Sequence, residues 1–347
     1  MQTDALPGAF AGLLLSWYVQ NARELPWRKN TNAYCVWLSE IMLQQTRVET
    51  VKEYYTRFLA RYPTVQHLAA APLEEVFKLW EGLGYYTRAR NLHKCAQIVV
   101  AQYGGIFPNT EAQLLRLPGI GAYTAGAIAS ICFNLPTPAV DGNVLRVVAR
   151  VAQLQGDIAS TATKAQVTQM LRGIYPPQAG LFTQSLMELG ATVCMPGTQP
   201  CCTKCPVSHL CGAFLNGTQS VFPVKSPKPP KRPEDISVFV LRCNGKIALC
   251  KREEHGLLAG MWQLPNVQGH VDATQVLDTI ANWGAQPQAV LKVAQKKHVF
   301  THIVWNLSCF FVECGCESPQ FVWATQQELS ARYALPTAFK KCLFIAE

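Results

Sequence analysis

The chain has 347 residues, 49% of them hydrophobic, and carries 31 Lys and Arg against 22 Asp and Glu, a formal charge of +9. That length and apolar content suffice to bury two or three cores, so more than one domain is expected. The fourteen cysteines are mostly scattered singly, often inside apolar runs such as Ile131-Cys132-Phe133; this excludes a disulfide scaffold and fits a reducing, cytoplasmic setting.

The positive charge is spread over both halves of the chain and suits a polyanionic partner without proving one. The first apolar run, Phe10 to Val19, follows no basic residue and ends in Gln20-Asn21. It is too short to cross a bilayer and lacks a cleavage site, so it reads as a core-facing helix and no membrane association is expected. Helical spacing of apolar residues then recurs over Ser39–Leu59, Leu73–Leu79, Leu92–Val100, Glu111–Leu117, Val144–Val151 and Lys164–Leu171, with Asn109-Thr110 and Asp141 placed as caps. From Phe222 to Pro233 the chain holds five prolines and four basic residues in twelve positions, which predicts an extended linker. Its charge serves either solubility or phosphate contact. Beyond it the period falls to two: strands are expected over Ile236–Arg242, Ile247–Lys251 and Val299–Phe311, with a hairpin at Cys243-Asn244-Gly245-Lys246 and one helix over Ala273–Trp283. The predicted architecture is a mainly α front region, residues 1–215, a linker over 216–235, and an α+β module over 236–347.

Four cysteines, Cys194, Cys202, Cys205 and Cys211, lie close enough to wrap one inorganic centre. Thiolates suit zinc or an iron–sulfur cluster, but a single C-x-x-C flanked by lone cysteines in one short loop departs from the paired knuckles of zinc ribbons, and the spacing favours a [4Fe–4S] cluster. Cys201 remains an alternative to Cys202.

Leu117-Pro118-Gly119-Ile120-Gly121 sits between two helical patterns. Gly119 and Gly121 permit a tight hairpin whose backbone N–H groups can grip a DNA phosphate without reading sequence; a plain helix connector is the other reading. Asp141, just ahead of a helix, is either an N-cap or a catalytic carboxylate. Glu40 has Val36, Trp37, Leu43 and Gln44 at three-and-four spacing and no basic residue there. If buried, it would have its pKa raised by desolvation; if not, it is a solvated helix carboxylate.

A helix-hairpin-helix, an aspartate some twenty residues later and a cysteine loop resemble the endonuclease III superfamily of DNA glycosylases over about residues 5–215. The stretches Leu25-Pro26-Trp27-Arg28, Ser39 to Thr46 (SEIMLQQT), Gly82 to Arg90 and Val140 to Asn143 resemble the MutY family, monomeric adenine DNA glycosylases that act in base excision repair on adenine opposite 8-oxoguanine, and opposite guanine. That resemblance implies a six-helix domain over about 30–136 and a cluster domain from 1–29 plus 137–215. It implies that Glu40 protonates adenine N7 and activates water, that Asp141 stabilises an oxocarbenium-like sugar, and that Tyr123 and Asn143 orient them. Bifunctional relatives carry a lysine where this chain has Tyr123, so monofunctional hydrolysis is implied. Adenine must be flipped out of the duplex, with Gln45 and Tyr85 as wedges and Trp27, Arg28 and Glu188 around the base. The loop after Cys194 has no cation, unlike the family's usual basic loop, and Lys204 is the nearest in sequence; the centre is therefore expected to be mainly structural.

Residues 237–347 resemble the Nudix-fold module of the same family, most clearly at Gly256 to Pro265 and Val299 to His302. The helix that would hold catalytic metals in a Nudix hydrolase reads DATQVLDTIANW, without glutamate, so recognition rather than hydrolysis is implied. Phe300, Thr301 and His302 would touch the 8-oxoguanine. Thr301 stands where serine is common, and His302 taken alone reads equally as a satisfied strand histidine.

Overall fold

The computed structural model describes residues 5–227 and 229–343. Within them, residues 5–70 and 91–227 form one compact unit, and residues 71–90 and 229–343 form a second. The helices of the first two-thirds are α1 (Phe10–Asn21), α2 (Ala33–Leu43), α3 (Val48–Arg61), α4 (Val65–Ala70), α5 (Leu73–Trp80), α6 (Thr87–Tyr103), α7 (Glu111–Leu114), α8 (Ala122–Phe133), α9 (Gly142–Ala152), α10 (Thr161–Arg172), α11 (Ala179–Thr192) and α12 (Gly212–Leu215). Among the described residues no helix is long and apolar enough to cross a membrane.

In the first unit, α1 is the core-facing helix its apolar run predicts. Phe10 and Leu14 are buried against Val144, Val147 and Val148 of α9 and Phe182, Leu186 and Leu189 of α11. The helix expected over Ser39–Leu59 is two helices: α2 ends at Leu43, Gln45 takes a left-handed φ of 58°, and α3 restarts at Val48. The break falls on the polar run Gln44-Gln45-Thr46-Arg47, where Gln45 takes the left-handed conformation. Thr110 caps α7, its hydroxyl accepting the Gln113 N–H at 3.3 Å. The hairpin between α7 and α8 turns at Gly119, which has φ +76°. A Cβ there would lie 2.8 Å from Asn91 Cβ.

The linker is shorter than its proline content suggests. Phe222 is buried in the first unit's core, and the Val224 carbonyl accepts the Ile158 N–H at 3.1 Å. At its other end Arg232 and Pro233 already belong to strand β1 (Arg232–Cys243). Proline is tolerated there because this end of the strand pairs on one side alone, with β6.

The second unit is a mixed seven-stranded sheet of β1, β2 (Lys246–Lys251), β3 (Trp262–Gln263), β4 (Asn266–Gln268), β5 (Pro287–Val299), β6 (Ile303–Cys314) and β7 (Val322–Thr325). The order is β3-β2-β1-β6-β5, with β4 also on β1 and β7 also on β2. Asn244 and Gly245, both at positive φ, make the expected two-residue hairpin, pairing Cys243 with Lys246. The sheet is covered on both faces. Ile236, Val238 and Val240 pack toward α14 (Gln326–Ala331) and α15 (Thr337–Leu343), whereas Phe239 and Leu241 pack toward α13 (Ala273–Asn282). A strand buried on both sides reads as a continuous apolar run, as this one does.

The strand expected over Val299–Phe311 is divided by a turn. β5 ends at Val299, Phe300 N–H donates to the Ile303 carbonyl at 2.8 Å, and β6 returns antiparallel. Alternation carried across the turn conceals it, and β5 leaves Leu291, Val293 and Val299 exposed, so no single apolar face marks it. The second unit also incorporates α5. Lys78 Nζ donates to the Leu329 and Tyr333 carbonyls at 3.1 Å, and Glu81 accepts the Leu335 N–H at 2.9 Å and pairs with Lys340 at 3.0 Å.

Gly119→Ala would place a side chain at positive φ against Asn91. A loss of about 1–3 kcal/mol of stability is expected, to be read as a lowered urea midpoint.

Candidate active site

Helix α2 starts where Asn32 accepts the N–H groups of Tyr34 and Cys35 at 3.0 and 3.3 Å. Its last two turns are buried all round, from Val36 to Met42, and this places Glu40, only 5% exposed, among apolar neighbours. In the first turn of α8, the Tyr123 hydroxyl donates to Glu40 Oε2. Asp141 does cap α9, accepting the Val144 N–H through Oδ1 at 2.8 Å, but its Oδ2 is free of that duty and accepts from Asn143 Nδ2 at 2.8 Å. Capping and catalytic readings are therefore compatible.

One cavity of about 510 Å³ gathers these groups, lined by Trp27, Arg28, Glu40, Gln45, Tyr123, Asp141 and Asn143. Burial pushes the Glu40 carboxyl up to about 7, with the nearby Asp141 charge adding and the Tyr123 hydrogen bond and Arg28 opposing. Burial also raises Tyr123 well above its ordinary value, reinforced by Glu40 and Asp141, so the phenol stays a donor. Asp141 is raised by burial as well, but the Val144 and Asn143 donors and Arg146 pull it back. The two carboxyl groups thus differ in what opposes their burial: one hydrogen bond and a charge at Glu40, several donors and Arg146 at Asp141.

Glu188 does not line this cavity. Fully buried on α11, it pairs with Arg23 at 2.6 Å and Arg28 at 2.7 Å. Burial works to raise its pKa, but the two guanidiniums prevail and hold it below the usual carboxylate value. Its carboxylate anchors Arg28, which also lies 5.6 Å from the Tyr18 ring centroid. Trp27, 7% exposed, sits edge-on to Tyr55 at 5.6 Å; it is both core residue and cavity wall. Gly121 has no side chain to cap α8, leaving the first-turn N–H groups of that helix for an external anion.

Cys194, Cys202, Cys205 and Cys211 line one small apolar cavity, of which Cys201 is not a wall. Burial pushes Cys205 up to about 12, with Cys194, Cys211 and Cys202 adding like-charge repulsion. Four thiolates here need a cationic centre to offset their charge, which is the condition a metal cluster meets. Among the described residues no three His, Cys, Asp or Glu side chains are arranged to hold a single ion. Sequence reasoning missed the cations of this loop, which come from α9, some fifty residues earlier. Arg150 reaches Cys194 Sγ at 3.4 Å and the Met195 carbonyl at 2.9 Å, and Arg146 bridges the Cys194 carbonyl at 2.7 Å to Asn143 Oδ1 at 2.8 Å. The i,i+4 spacing of two arginines on an otherwise apolar helix was the available signal. Gly190 completes the support: a Cβ there would lie 2.5 Å from Asn143 Cβ.

Tyr85, Phe300, Thr301 and His302 belong to the second unit. The Tyr85 hydroxyl lies 3.1 Å from Thr301 Oγ1, so this wedge candidate meets the turn directly. Asp272 caps α13 through a capping box with Gln275, and the helix itself carries Asp278 as its only acid. Glu188→Ala would strand two partly buried guanidiniums. A loss of about 3–5 kcal/mol is expected, to be measured by urea denaturation.

Residues 38–177 match the family described as HhH-GPD superfamily base excision DNA repair protein, and residues 237–344 match the NUDIX domain. The chain is 38% identical over 400 residues to the human adenine DNA glycosylase, covering 96% of this chain and 73% of that one. Among solved structures it is similar to a thermostable thymine-DNA glycosylase, at 28% identity and a TM-score of 0.54 over 60% of this chain and 96% of that one. It shares the fold of endonuclease III in a non-covalent DNA complex, at 24% identity and a TM-score of 0.52 over 63% and 100%. The chain belongs to the adenine DNA glycosylase family and is a DNA glycosylase of base excision repair.

Proposed function

We propose that this enzyme removes adenine from duplex DNA in which it is mispaired with 8-oxoguanine, or with guanine, by hydrolysis without strand cleavage. The observation that carries the reading is a buried Glu40, held near a pKa of 7 and hydrogen-bonded to Tyr123, in one cavity with Asp141. Protonation of a flipped adenine at N7 converts a poor leaving group into a neutral one, and a carboxyl that is still protonated near neutral pH is suited to deliver that proton. Once the N-glycosidic bond breaks, positive charge develops on the sugar. Asp141, supported as a carboxylate by Asn143, Val144 and Arg146, would stabilise that charge, and Glu40, now ionised, would take a proton from the attacking water. Among the described residues no lysine lines the cavity, which leaves no amine for a Schiff base and supports monofunctional chemistry.

Gln45, exposed at its left-handed turn on the cavity rim, is suited to enter the space left by the flipped base. Tyr85 with Phe300, Thr301 and His302 would read the opposing 8-oxoguanine, and the Gly119–Gly121 hairpin would hold a phosphate. Cys194, Cys202, Cys205 and Cys211 would hold a [4Fe–4S] cluster, whose positive core when bound would offset part of the charge of four thiolates. Arg146 and Arg150 then tie that loop to α9, whose cap is Asp141.

Single-turnover reaction of a labelled duplex with one adenine opposite 8-oxoguanine, developed with and without alkali, tests the function. Alkali-dependent breaks confined to the mispair are expected; breaks without alkali would contradict the Tyr123 argument. Thymine release from a thymine–guanine pair, the specificity named for the similar solved structure, would assign a different base. Glu40→Gln is expected to slow base release by about 10²–10⁴-fold while duplex affinity is kept; loss of affinity with an unchanged rate would remove Glu40 from the chemistry. Because the proton must be on Glu40 at the start, the wild-type rate should fall as pH rises through about 7, and a rate flat from pH 6 to 9 would count against a general acid of this kind.

A further inference from the structure

We propose that Lys231 and Lys341 form a phosphate-binding cradle beside the Phe300–His302 turn, gripping the backbone of the DNA strand that the turn reads. The proposal rests on the reading of that turn as the lesion contact and adds the residues that press it onto the duplex. Lys231 Nζ donates to the Phe300 carbonyl at 2.8 Å, and Lys341 Nζ donates to the Lys297 carbonyl at 3.4 Å. Past Phe300 in the chain, the Arg232 N–H donates to the His302 carbonyl at 2.9 Å. An ammonium has three donors. Each of these two commits one to the backbone of the β5 end and is left with two for an external oxygen.

Among the described residues no carboxylate satisfies them. Lys231, Lys296, Lys297 and Lys341 are all exposed, and among the described residues none of the four forms an ion pair, whereas ten other basic side chains do. The neighbouring acids are engaged elsewhere: Glu234 with Arg232 and the Trp305 indole, and Asp235 with Asn306. From Gly284 to Val312 the sequence contains no Asp or Glu. Two plainer explanations fall short. Lysines on an edge strand deter unwanted pairing, which accounts for Lys296 and Lys297 on β5 but not for Lys231 and Lys341, which come from outside that strand. Solubility needs charge but not ammonium groups fixed on the carbonyls of Lys297 and Phe300. Phosphate contacts of this kind set position without reading sequence, the task left over when the turn itself inspects a base.

The test is equilibrium binding of the full-length protein to a duplex carrying a non-cleavable 2′-fluoro-adenosine opposite 8-oxoguanine, beside an adenine–thymine duplex, over a series of salt concentrations. Lys231→Gln with Lys341→Gln should lower the slope of log affinity against log salt by about 1.8, or about 0.9 for each phosphate that is no longer neutralised. Both duplexes should weaken alike, leaving their affinity ratio unchanged, and Lys→Arg at both positions should restore the slope. An unchanged slope would overturn the cradle. So would an unchanged slope with a lost preference for 8-oxoguanine, since the lysines would then only shape the turn. If the wild type shows no preference for 8-oxoguanine, the reading of the turn fails, and a slope change in the variant would still register the phosphate contacts.

Discussion

Burial of one carboxyl group sets the electrostatics of the cavity in the first unit. A charged Glu40 in this apolar setting would be costly, and the helix that carries it offers no basic residue to compensate. Tyr123 supplies a hydrogen bond and Arg28 a distant charge, enough to make the group titratable without keeping it permanently ionised. Every other feature of the cavity accommodates that condition. Asp141 is surrounded by donors so that it responds differently to the same burial, and Glu188 holds Arg28 in a pairing of its own.

Helix α9 does several jobs that would conflict on a less amphipathic segment. Its N-terminal cap is Asp141, its first turn carries Asn143, and its next two turns send Arg146 and Arg150 to the cysteine loop. The opposite face, Val144, Val147, Val148 and Val151, is locked into the core against α1 and α11. Arg146 joins the Cys194 carbonyl directly to Asn143 Oδ1, so the cysteine loop and the first turn of α9 share one side chain. Gly190 lets α11 approach close enough to press on that same residue.

Much of this was legible in the chain. The clustering of four cysteines, the turn at the hairpin glycines and the burial of Glu40 among apolar neighbours were all readable from type and spacing, and the Asn-Gly hairpin and the capped helices follow from local backbone preference. What escaped depends on three-dimensional neighbours. Arg146 and Arg150 read as surface charges until the cysteine loop folds back on them. The polar run Gln44–Arg47 interrupts a helix, and the turn at Phe300 interrupts a strand whose alternation carries across it. Glu188 looked like a base contact because its family resemblance spoke of the pocket and not of the guanidiniums that occupy it.

Because α5 belongs to the second unit, its folding depends on the far end of the chain. Lys78 finds its carbonyl acceptor at Leu329, 251 residues later. During synthesis this helix must wait through most of the chain before its partners exist, with Val76, Phe77 and Trp80 ready to be buried. Contacts so distant in sequence are late and slow to form. A polypeptide interrupted at the proline-rich segment would leave the C-terminal sheet without Glu81 for Leu335 and Lys340, and would leave α5 with nothing to cover it. The two units are therefore stitched by the order of the chain as well as by the linker, and neither is a cassette that could be exchanged by a single cut.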